Sequence, residues 1–171
     1  KNFKELLKDI KVFIFDVDGV LSANVMNLNS DTGLPVRTGN VKDGYALHLA
    51  SKLGYKIAII TGANTEYLTS RFAALGIHDD IYLGCHNKIV EFKALMEKYN
   101  LNPENVLYMG DDIPDLKVMK MVGVPCCPAD AAPEIKEISK YISHCKGGEG
   151  CARDVIEQVL KAQDNWLRDD E

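Results

Sequence analysis

The sequence predicts an α/β fold in which a Rossmann-like, doubly wound parallel sheet is covered by helices on both faces. Short, continuous apolar runs alternate along the chain with segments of helical periodicity, and such runs are typical of strands buried on both faces. The chain has 171 residues, of which 46% are hydrophobic and 26% charged, so it can form a core without disulfides or a structural metal. We therefore expect a single domain over residues 1–171.

The apolar runs and the periodic segments define the elements in chain order. The expected strands are Lys11–Phe15, Lys56–Ile60, Asp80–Leu83, Asn105–Met109 and Val122–Cys127. The expected helices are Gly44–Leu53, Thr65–Leu75, Lys88–Tyr99, Asp115–Met121, Pro133–Tyr141 and Cys151–Trp166. Gly54, Gly76 and Gly123 stand where helix C-caps are expected, and Asn64 is the expected N-cap of the second helix.

The segment from Ser22 to Val41 interrupts this alternation. It is rich in Asn, Ser, Asp and Gly, which are common in turns. Asp31–Gly33 is the expected tip of a β-hairpin that projects from the carboxyl end of the first strand. At the end of the chain, the acidic tail Asp164–Glu171 is expected to be mobile.

Charge and cysteine content exclude several classes of function. The net charge of −5 argues against sequence-independent binding of nucleic acid, which needs clustered cations. No apolar run is long enough to span a membrane, and Lys1–Lys11 lacks the pattern of a signal peptide. The five cysteines show no C-x-x-C pair and no zinc spacing, so we expect free thiols in a cytoplasmic protein.

Polar side chains that can do chemistry follow the ends of several expected strands. They are Asp16 and Asp18, Thr61, Lys88, and Asp111, Asp112 and Asp115, and the backbone amide of Gly62 follows Thr61. Because ligands bind beyond the carboxyl ends of parallel strands, we expect these groups to converge. Converging carboxylates need a cation to offset their repulsion, and hard oxygen ligands suit Mg²⁺.

Such a set of groups favours hydrolysis of a phosphate monoester. Mg²⁺ and a lysine would neutralise a bound phosphate, and an ionised aspartate can attack phosphorus to form an aspartyl-phosphate that water then cleaves. A second aspartate two residues later, free of the metal, can protonate the leaving alkoxide and later deprotonate the water.

The order of these groups resembles the four motifs of the haloacid dehalogenase superfamily of phosphatases. The motifs are D-V-D-G at Asp16–Gly19, T-G at Thr61–Gly62, Lys88, and G-D-D-x-x-D at Gly110–Asp115. The resemblance implies that Asp16 is the nucleophile and Asp18 the acid/base. It further implies that Thr61, the Gly62 amide and Lys88 hold the phosphoryl oxygens, that Asp16, the Asp18 carbonyl and Asp111 bind Mg²⁺, and that Asp112 and Asp115 support the metal and Lys88.

Further motifs are similar to those of 3-deoxy-D-manno-octulosonate (KDO) 8-phosphate phosphatases. They include N-V-K-D-G at Asn40–Gly44, P-E-N-V from Pro103 and G-G-E-G-x-x-R-D at Gly147–Asp154. The resemblance implies hydrolysis of KDO 8-phosphate for lipopolysaccharide biosynthesis in a bacterial cytoplasm. A related branch that acts on a deoxy-nonulosonate (KDN) 9-phosphate is the alternative.

The same resemblance implies an enzyme without a cap domain that forms a homotetramer. The chain is too short to hold a cap, so specificity is expected to come from a macromolecular substrate or from a second subunit. The resemblance implies the second, with each active site completed by the neighbouring subunit. Gly62 and Asn64 are expected to contact the substrate. Arg71 is the favoured partner of the substrate carboxylate, since its guanidinium matches carboxylate geometry, and Lys42 and Arg37 are further candidates.

Three departures from the family pattern leave the identity of the sugar acid open. Ala63 follows the Thr-Gly pair where the family often has a charged residue, Ala23–Asn24 replaces a common Asp-Gly, and the hairpin is slightly longer. Two other functions also remain. A receiver-type phosphoacceptor uses similar groups, but with the acidic pair on its first strand, and an inactive relative would not need an intact set of motifs.

Overall fold

The computed structural model describes residues 1–168 and consists of eight strands and seven helices over that range. The strands are β1 (Val12–Phe15), β2 (Asn27–Leu28), β3 (Pro35–Val36), β4 (Lys56–Ile60), β5 (Ile81–Tyr82), β6 (Val106–Met109), β7 (Val124–Cys127) and β8 (Tyr141–Ile142). The helices are α1 (Phe3–Leu7), α2 (Val41–Lys52), α3 (Tyr67–Ala74), α4 (Lys88–Lys98), α5 (Leu116–Met119), α6 (Pro133–Ile138) and α7 (Cys151–Ala162). Two short 3₁₀ turns lie at Pro103–Asn105 and Ile113–Asp115.

Six strands form one parallel sheet in the order β5-β4-β1-β6-β7-β8, which confirms the predicted fold class. All residues of β1 and β6 are buried. Successive side chains of β1 enter opposite cores, as a strand requires. Phe13 and Phe15 pack in a core with α2 and α7, whereas Ile14 packs in a core with α4. The apolar runs were continuous because helices cover both faces of the sheet.

Several elements differ from the sequence prediction. The helix predicted over Cys151–Trp166 ends at Ala162. The helix predicted over Pro133–Tyr141 ends at Ile138, because Ser139 turns the backbone to an extended conformation. Lys140 then donates its N–H to the Pro125 carbonyl, and Tyr141–Ile142 becomes the edge strand β8. Helix α1 was not predicted, and its start is capped by the Asn2 side chain.

The predicted helix caps are correct at two of four positions. Gly54 and Gly76 adopt φ angles of 91° and 88°, the left-handed conformation that glycine allows at a helix end. Gly123 is not a cap, since α5 already ends at Met119; a Cβ at Gly123 would lie 2.2 Å from the Glu104 carbonyl oxygen. Asn64 does not cap α3, because that helix begins three residues later, at Tyr67.

A β-hairpin formed by β2 and β3 lies within the segment 22–41. Its turn is closed by the Asn29 side chain, which accepts from the N–H groups of Asp31 and Thr32, and by Gly33 with φ 71°. Five large apolar side chains of this segment are exposed: Val25, Leu28, Leu34 and Val36 in and beside the hairpin, and Val41 at the start of α2. The hairpin therefore presents an apolar surface to its surroundings.

The chain end beyond α7 contacts the body of the protein as far as the structure describes it. Asn165 donates to the Tyr55 hydroxyl, and the Trp166 ring lies edge-on to Tyr45 with Arg153 above it. The rest of the tail predicted to be mobile, residues 169–171, lies outside the described residues. No helix in the described part of the chain is long and apolar enough to cross a membrane.

Candidate active site

A cavity of about 690 Å³ lined by charged and polar residues lies at the carboxyl ends of the central strands. The parallel register places the last residue of β1, Phe15, beside Ile59 of β4 and Met109 of β6. The residues that follow these strands therefore emerge at one edge of the sheet. Within residues 1–168 no second domain covers this edge, as predicted for an enzyme without a cap.

Three aspartates form a compact acidic cluster in this cavity. One carboxylate oxygen from each of Asp16, Asp111 and Asp115 lies within 4.8 Å of the other two. Asp16 accepts from the Val17 N–H at 2.7 Å, and Asp115 accepts from the Asp111 N–H at 3.2 Å, which orient two of the carboxylates. The cluster has the oxygen donors and the spacing that a hard divalent cation requires.

Lys88 places a buried ammonium between two of these carboxylates. Its Nζ lies 3.1 Å from Asp16 Oδ2 and 2.7 Å from Asp115 Oδ1. Asn87 caps α4 by accepting from the Ile89 N–H, so Lys88 is the first residue of the helix and its side chain reaches the cavity. Lys88 was predicted to hold a phosphoryl oxygen, and its ammonium lies in the cavity in contact with Asp16 and Asp115.

Tyr108 is a member of this network that the sequence did not reveal. Its hydroxyl donates to Asp115 Oδ1 at 2.8 Å, and its ring is fully buried within β6. The available signal was a tyrosine inside the apolar run that ends at Gly110, because a buried tyrosine hydroxyl needs a partner. Asp115 thus accepts from Lys88, Tyr108 and the backbone, which fixes its position.

The acidic cluster has more negative charge than Lys88 alone can offset. Burial, followed by the charge of Asp115, raises the pKa of Asp16 to about 7, although Lys88 opposes the shift. Burial, followed by the charges of Asp16 and Asp115, raises the pKa of Asp111 to about 8. Burial alone would lower the pKa of Lys88, but Asp16 and Asp115 outweigh it and raise this pKa. A bound divalent cation would remove the imbalance.

Gly19 allows the backbone to lie directly against the acidic cluster. Its φ angle is 85°, and a Cβ at this position would lie 1.8 Å from Asp111 Oδ2. A side chain at this position would therefore displace the Asp111 carboxylate. The glycine of D-V-D-G is thus required both by backbone conformation and by the close approach.

Without a divalent cation, the free energy of unfolding is expected to fall as the pH rises from about 5 to about 9. Folded Asp16 and Asp111 have raised pKa values and retain protons where the same side chains in the unfolded chain, with a pKa of about 3.9, have lost them. Because the folded state binds more protons, raising the pH through about 7 to 8 removes stability. Denaturant unfolding in EDTA should show this slope, and saturating Mg²⁺ should flatten it; equal slopes would contradict the cation site.

The Asp18 carboxylate lies apart from the acidic cluster and binds Arg37. Arg37 Nε donates to Asp18 Oδ1 at 2.7 Å and its NH2 group donates to Asp18 Oδ2 at 3.1 Å. A third donor of Arg37, NH1, lies 3.1 Å from the Thr65 hydroxyl. A carboxylate away from the cation site can exchange protons with a substrate, as the predicted acid/base role requires.

The remaining predicted residues differ in their relation to the cavity. Thr61, Gly62 and Asn64 line it, and Thr61 is buried, with its hydroxyl accepting from the Ala63 N–H at 3.0 Å. Asp112 lies at the rim and is exposed, and its carboxylate accepts from the N–H of the next residue. The hydrogen bond from Lys88 goes to Asp115 and not to Asp112.

Arg71 and Lys42 do not line the active-site cavity of their own chain. Arg71 lines an adjoining, mainly apolar cavity of about 230 Å³, and Lys42 lies on the exposed side of α2. Asp43, which lines the same cavity as Arg71, is buried and accepts from the Arg153 N–H in the first turn of α7. Arg37, which the sequence ranked below Arg71, is the arginine that lines the active-site cavity.

Comparisons with known proteins show which family the chain resembles. A model of haloacid dehalogenase-like hydrolases matches residues 76–153. The chain is 39% identical over 156 residues to the 3-deoxy-D-manno-octulosonate 8-phosphate phosphatase KdsC of Salmonella typhi, a match that covers 91% of this chain and 82% of the relative.

Solved structures give the same result. The phosphatase of this name from Moraxella catarrhalis, in complex with magnesium, phosphate and KDO, superimposes with a TM-score of 0.91 at 32% identity, covering 98% of this chain and 97% of that one. The one from Yersinia pestis gives a TM-score of 0.90 at 34% identity, covering 95% and 86%. The chain belongs to the 3-deoxy-D-manno-octulosonate 8-phosphate phosphatase family of haloacid dehalogenase-like hydrolases.

Proposed function

We propose that this protein is a Mg²⁺-dependent phosphatase that hydrolyses KDO 8-phosphate to KDO and phosphate through an aspartyl-phosphate. The observation that carries the proposal is the acidic cluster around Lys88. Asp18, which like Asp16 follows β1, lies outside this cluster and binds Arg37. A relative of known structure binds magnesium, phosphate and KDO. Asp16, the Asp18 carbonyl and Asp111 would hold Mg²⁺, which would neutralise and orient the phosphate.

Asp16 and Asp18 would divide the reaction into two steps. A carboxylate oxygen of Asp16 attacks phosphorus, the bond between phosphorus and the C8 oxygen breaks, and Asp18 donates its proton to the departing alkoxide. In the second step Asp18 takes a proton from water, whose oxygen attacks the phosphorus. The acyl phosphate bond then breaks, which releases phosphate and restores the Asp16 carboxylate.

The other residues would bind and balance charge. Lys88 favours the ionised, nucleophilic form of Asp16 and would contact a phosphoryl oxygen, as would Thr61 and the Gly62 amide. Asp115 holds Lys88 in place, and Asp112 would support the metal from the rim. Asn64 would contact the sugar from the loop after β4.

We also propose that the protein forms a homotetramer in which a neighbouring subunit completes each active site. The exposed apolar side chains of the hairpin support this, as does the open cavity beside it. Arg71 and Lys42, which lie outside the cavity of their own chain, would then serve a neighbour's substrate. Light scattering should give four times the 19.0 kDa of one chain, and a monomer at working concentration would contradict the proposal.

A cytoplasmic location is part of the same proposal. All five cysteines are free thiols, and four of them are buried. Free thiols fit a reducing compartment, where the product would be available for lipopolysaccharide biosynthesis.

A small substrate panel with Mg²⁺ tests the proposed activity. We expect kcat/KM for KDO 8-phosphate to exceed that for a hexose phosphate and for p-nitrophenyl phosphate by about 10²-fold or more, since polar contacts to the sugar acid would be lost with the other esters. Preference for KDN 9-phosphate would assign the alternative substrate, in keeping with the departure at Ala63. Weak and equal activity on all esters would overturn the substrate assignment.

A further inference from the structure

Arg37 is a charged side chain that the hairpin segment turns inward. Its side chain is only 7% exposed, whereas the neighbouring Val36 and Leu34 are 52% and 62% exposed. The guanidinium contacts both oxygens of Asp18 and the hydroxyl of Thr65, and it borders the active-site cavity as well as the adjoining apolar one. All three of these contacts join the hairpin segment to the loops that follow β1 and β4.

We propose that Arg37 is a positioning residue that fixes the orientation of the Asp18 carboxylate for proton transfer. The inference rests on the proposed function, in which Asp18 is the acid/base. Rotation of an aspartate carboxyl about its last torsion is broad and weakly restrained, so a free Asp18 would point its oxygens in many directions. A planar guanidinium that binds both oxygens restricts this rotation.

Arg37 is the side chain in a position to restrain the Asp18 carboxylate. Within residues 1–168, Arg37 is the one side chain that hydrogen-bonds the Asp18 carboxylate. Asp16, by contrast, is oriented by the Val17 N–H and by Lys88. Thr65 accepts from the third donor of Arg37, so the guanidinium is itself fixed from the opposite side of the cavity.

The ion pair between Arg37 and Asp18 is not one expected to contribute mainly to the stability of the fold. The Asp18 side chain is 35% exposed, and an ion pair with a partly exposed carboxylate adds little to stability. Removal of Arg37 should therefore affect catalysis much more than unfolding. Because Arg37 belongs to the hairpin segment, the conformation of that segment also affects how the Asp18 carboxylate is oriented.

The test exploits the different needs of two leaving groups. The alkoxide of a sugar phosphate leaves poorly unless it receives a proton, whereas p-nitrophenolate leaves without one. The value of kcat/KM reports on the steps up to release of the alcohol or phenol. Loss of a correctly placed acid should therefore reduce kcat/KM for the sugar phosphate selectively.

We expect Arg37→Ala to lower kcat/KM for KDO 8-phosphate by about 10²-fold and that for p-nitrophenyl phosphate by less than about 3-fold. Arg37→Lys should recover part of the loss, because an ammonium can bind only one Asp18 oxygen well. Thr65→Val, which removes the hydroxyl but keeps the shape, should give a smaller loss with the same selectivity. Lys161→Ala removes an exposed ion pair on α7 and is the control.

Each result decides between positioning and other roles. Equal losses on both esters, or unchanged kcat/KM for the sugar phosphate, would overturn the proposal. A hexose phosphate has an alkoxide leaving group but no carboxylate, so positioning predicts the same loss of kcat/KM on it as on KDO 8-phosphate. A loss confined to KDO 8-phosphate would make Arg37 a partner of the substrate carboxylate and would also overturn the proposal. A higher KM for both esters with unchanged kcat would make Arg37 a phosphate-binding residue instead. If the wild type prefers another sugar phosphate, the proposed substrate fails, while the same variants measured on that ester still test Arg37. If Arg37→Ala does not fold, Arg37→Lys and Thr65→Val carry the test.

Discussion

Replacing Asp16 by Asn is expected to lower kcat by about 10³-fold or more while the protein stays folded. The amide has no anionic oxygen to attack phosphorus, so the aspartyl-phosphate cannot form. Asn has the same shape and can still accept from the Val17 N–H. Burial and Asp115 raise the pKa of Asp16, so a neutral side chain should not destabilise the protein in cation-free buffer. Phosphate release and thermal unfolding measure the two effects.

A substrate with a labelled phosphate group distinguishes loss of the nucleophile from loss of substrate binding, because covalently bound phosphate can be measured on the protein. Wild-type protein quenched with acid during turnover should carry covalent phosphate, and Asp16→Asn should carry none. Asp31→Asn makes the same charge change at the exposed hairpin tip and should keep full activity. Covalent phosphate on the Asp16→Asn variant would assign the nucleophile to another residue.

The central sheet could be predicted from the sequence because its strands leave a strong pattern. β1 and β6 are buried throughout and β4 is buried from Ile57 to Ile60, so the buried residues of these strands are apolar except for the Tyr108 hydroxyl. β8 has two residues and α1 has five, and neither is long enough to show a period. These elements form because neighbouring strands and helices stabilise them, which a local pattern does not record.

In the candidate site, too, some residues could be predicted from a local sequence pattern and others could not. The aspartates could be placed because parallel strands bring their carboxyl ends to one edge, whatever the loops do. Arg37 meets Asp18 only after a hairpin has formed between them, and its partner cannot be read from spacing. Tyr108 is indistinguishable from a core residue until the position of Asp115 is known. Residues that follow strand ends were therefore predictable, whereas the hydrogen-bond partners of those residues, Arg37 and Tyr108, were not.

Replacing Lys88 by Met is expected to reduce both activity and stability. The substitution leaves Asp16 and Asp115 buried without their shared cation, and breaking a buried ion pair in this way costs about 3–5 kcal/mol. The loss in cation-free buffer should be larger at pH 8 than at pH 5, because protonation of Asp16 at low pH removes part of the repulsion. Activity should fall by about 10²-fold or more, since a phosphoryl oxygen loses its ammonium partner.

Mg²⁺ separates the two roles of Lys88. A divalent cation bound to Asp16 should restore much of the lost stability, but it cannot replace the ammonium that the phosphate would contact. Denaturant unfolding and phosphate release of Lys88→Met, each with EDTA and with Mg²⁺, would show whether stability recovers without activity. Lys98→Met, on the same helix, breaks a pair with Asp80 whose lysine is half-exposed, and should destabilise the protein much less than Lys88→Met. If Lys88→Met lowered stability and activity no more than Lys98→Met, Lys88 would not offset the charge of the acidic cluster, and the charge balance inferred for that cluster would be wrong.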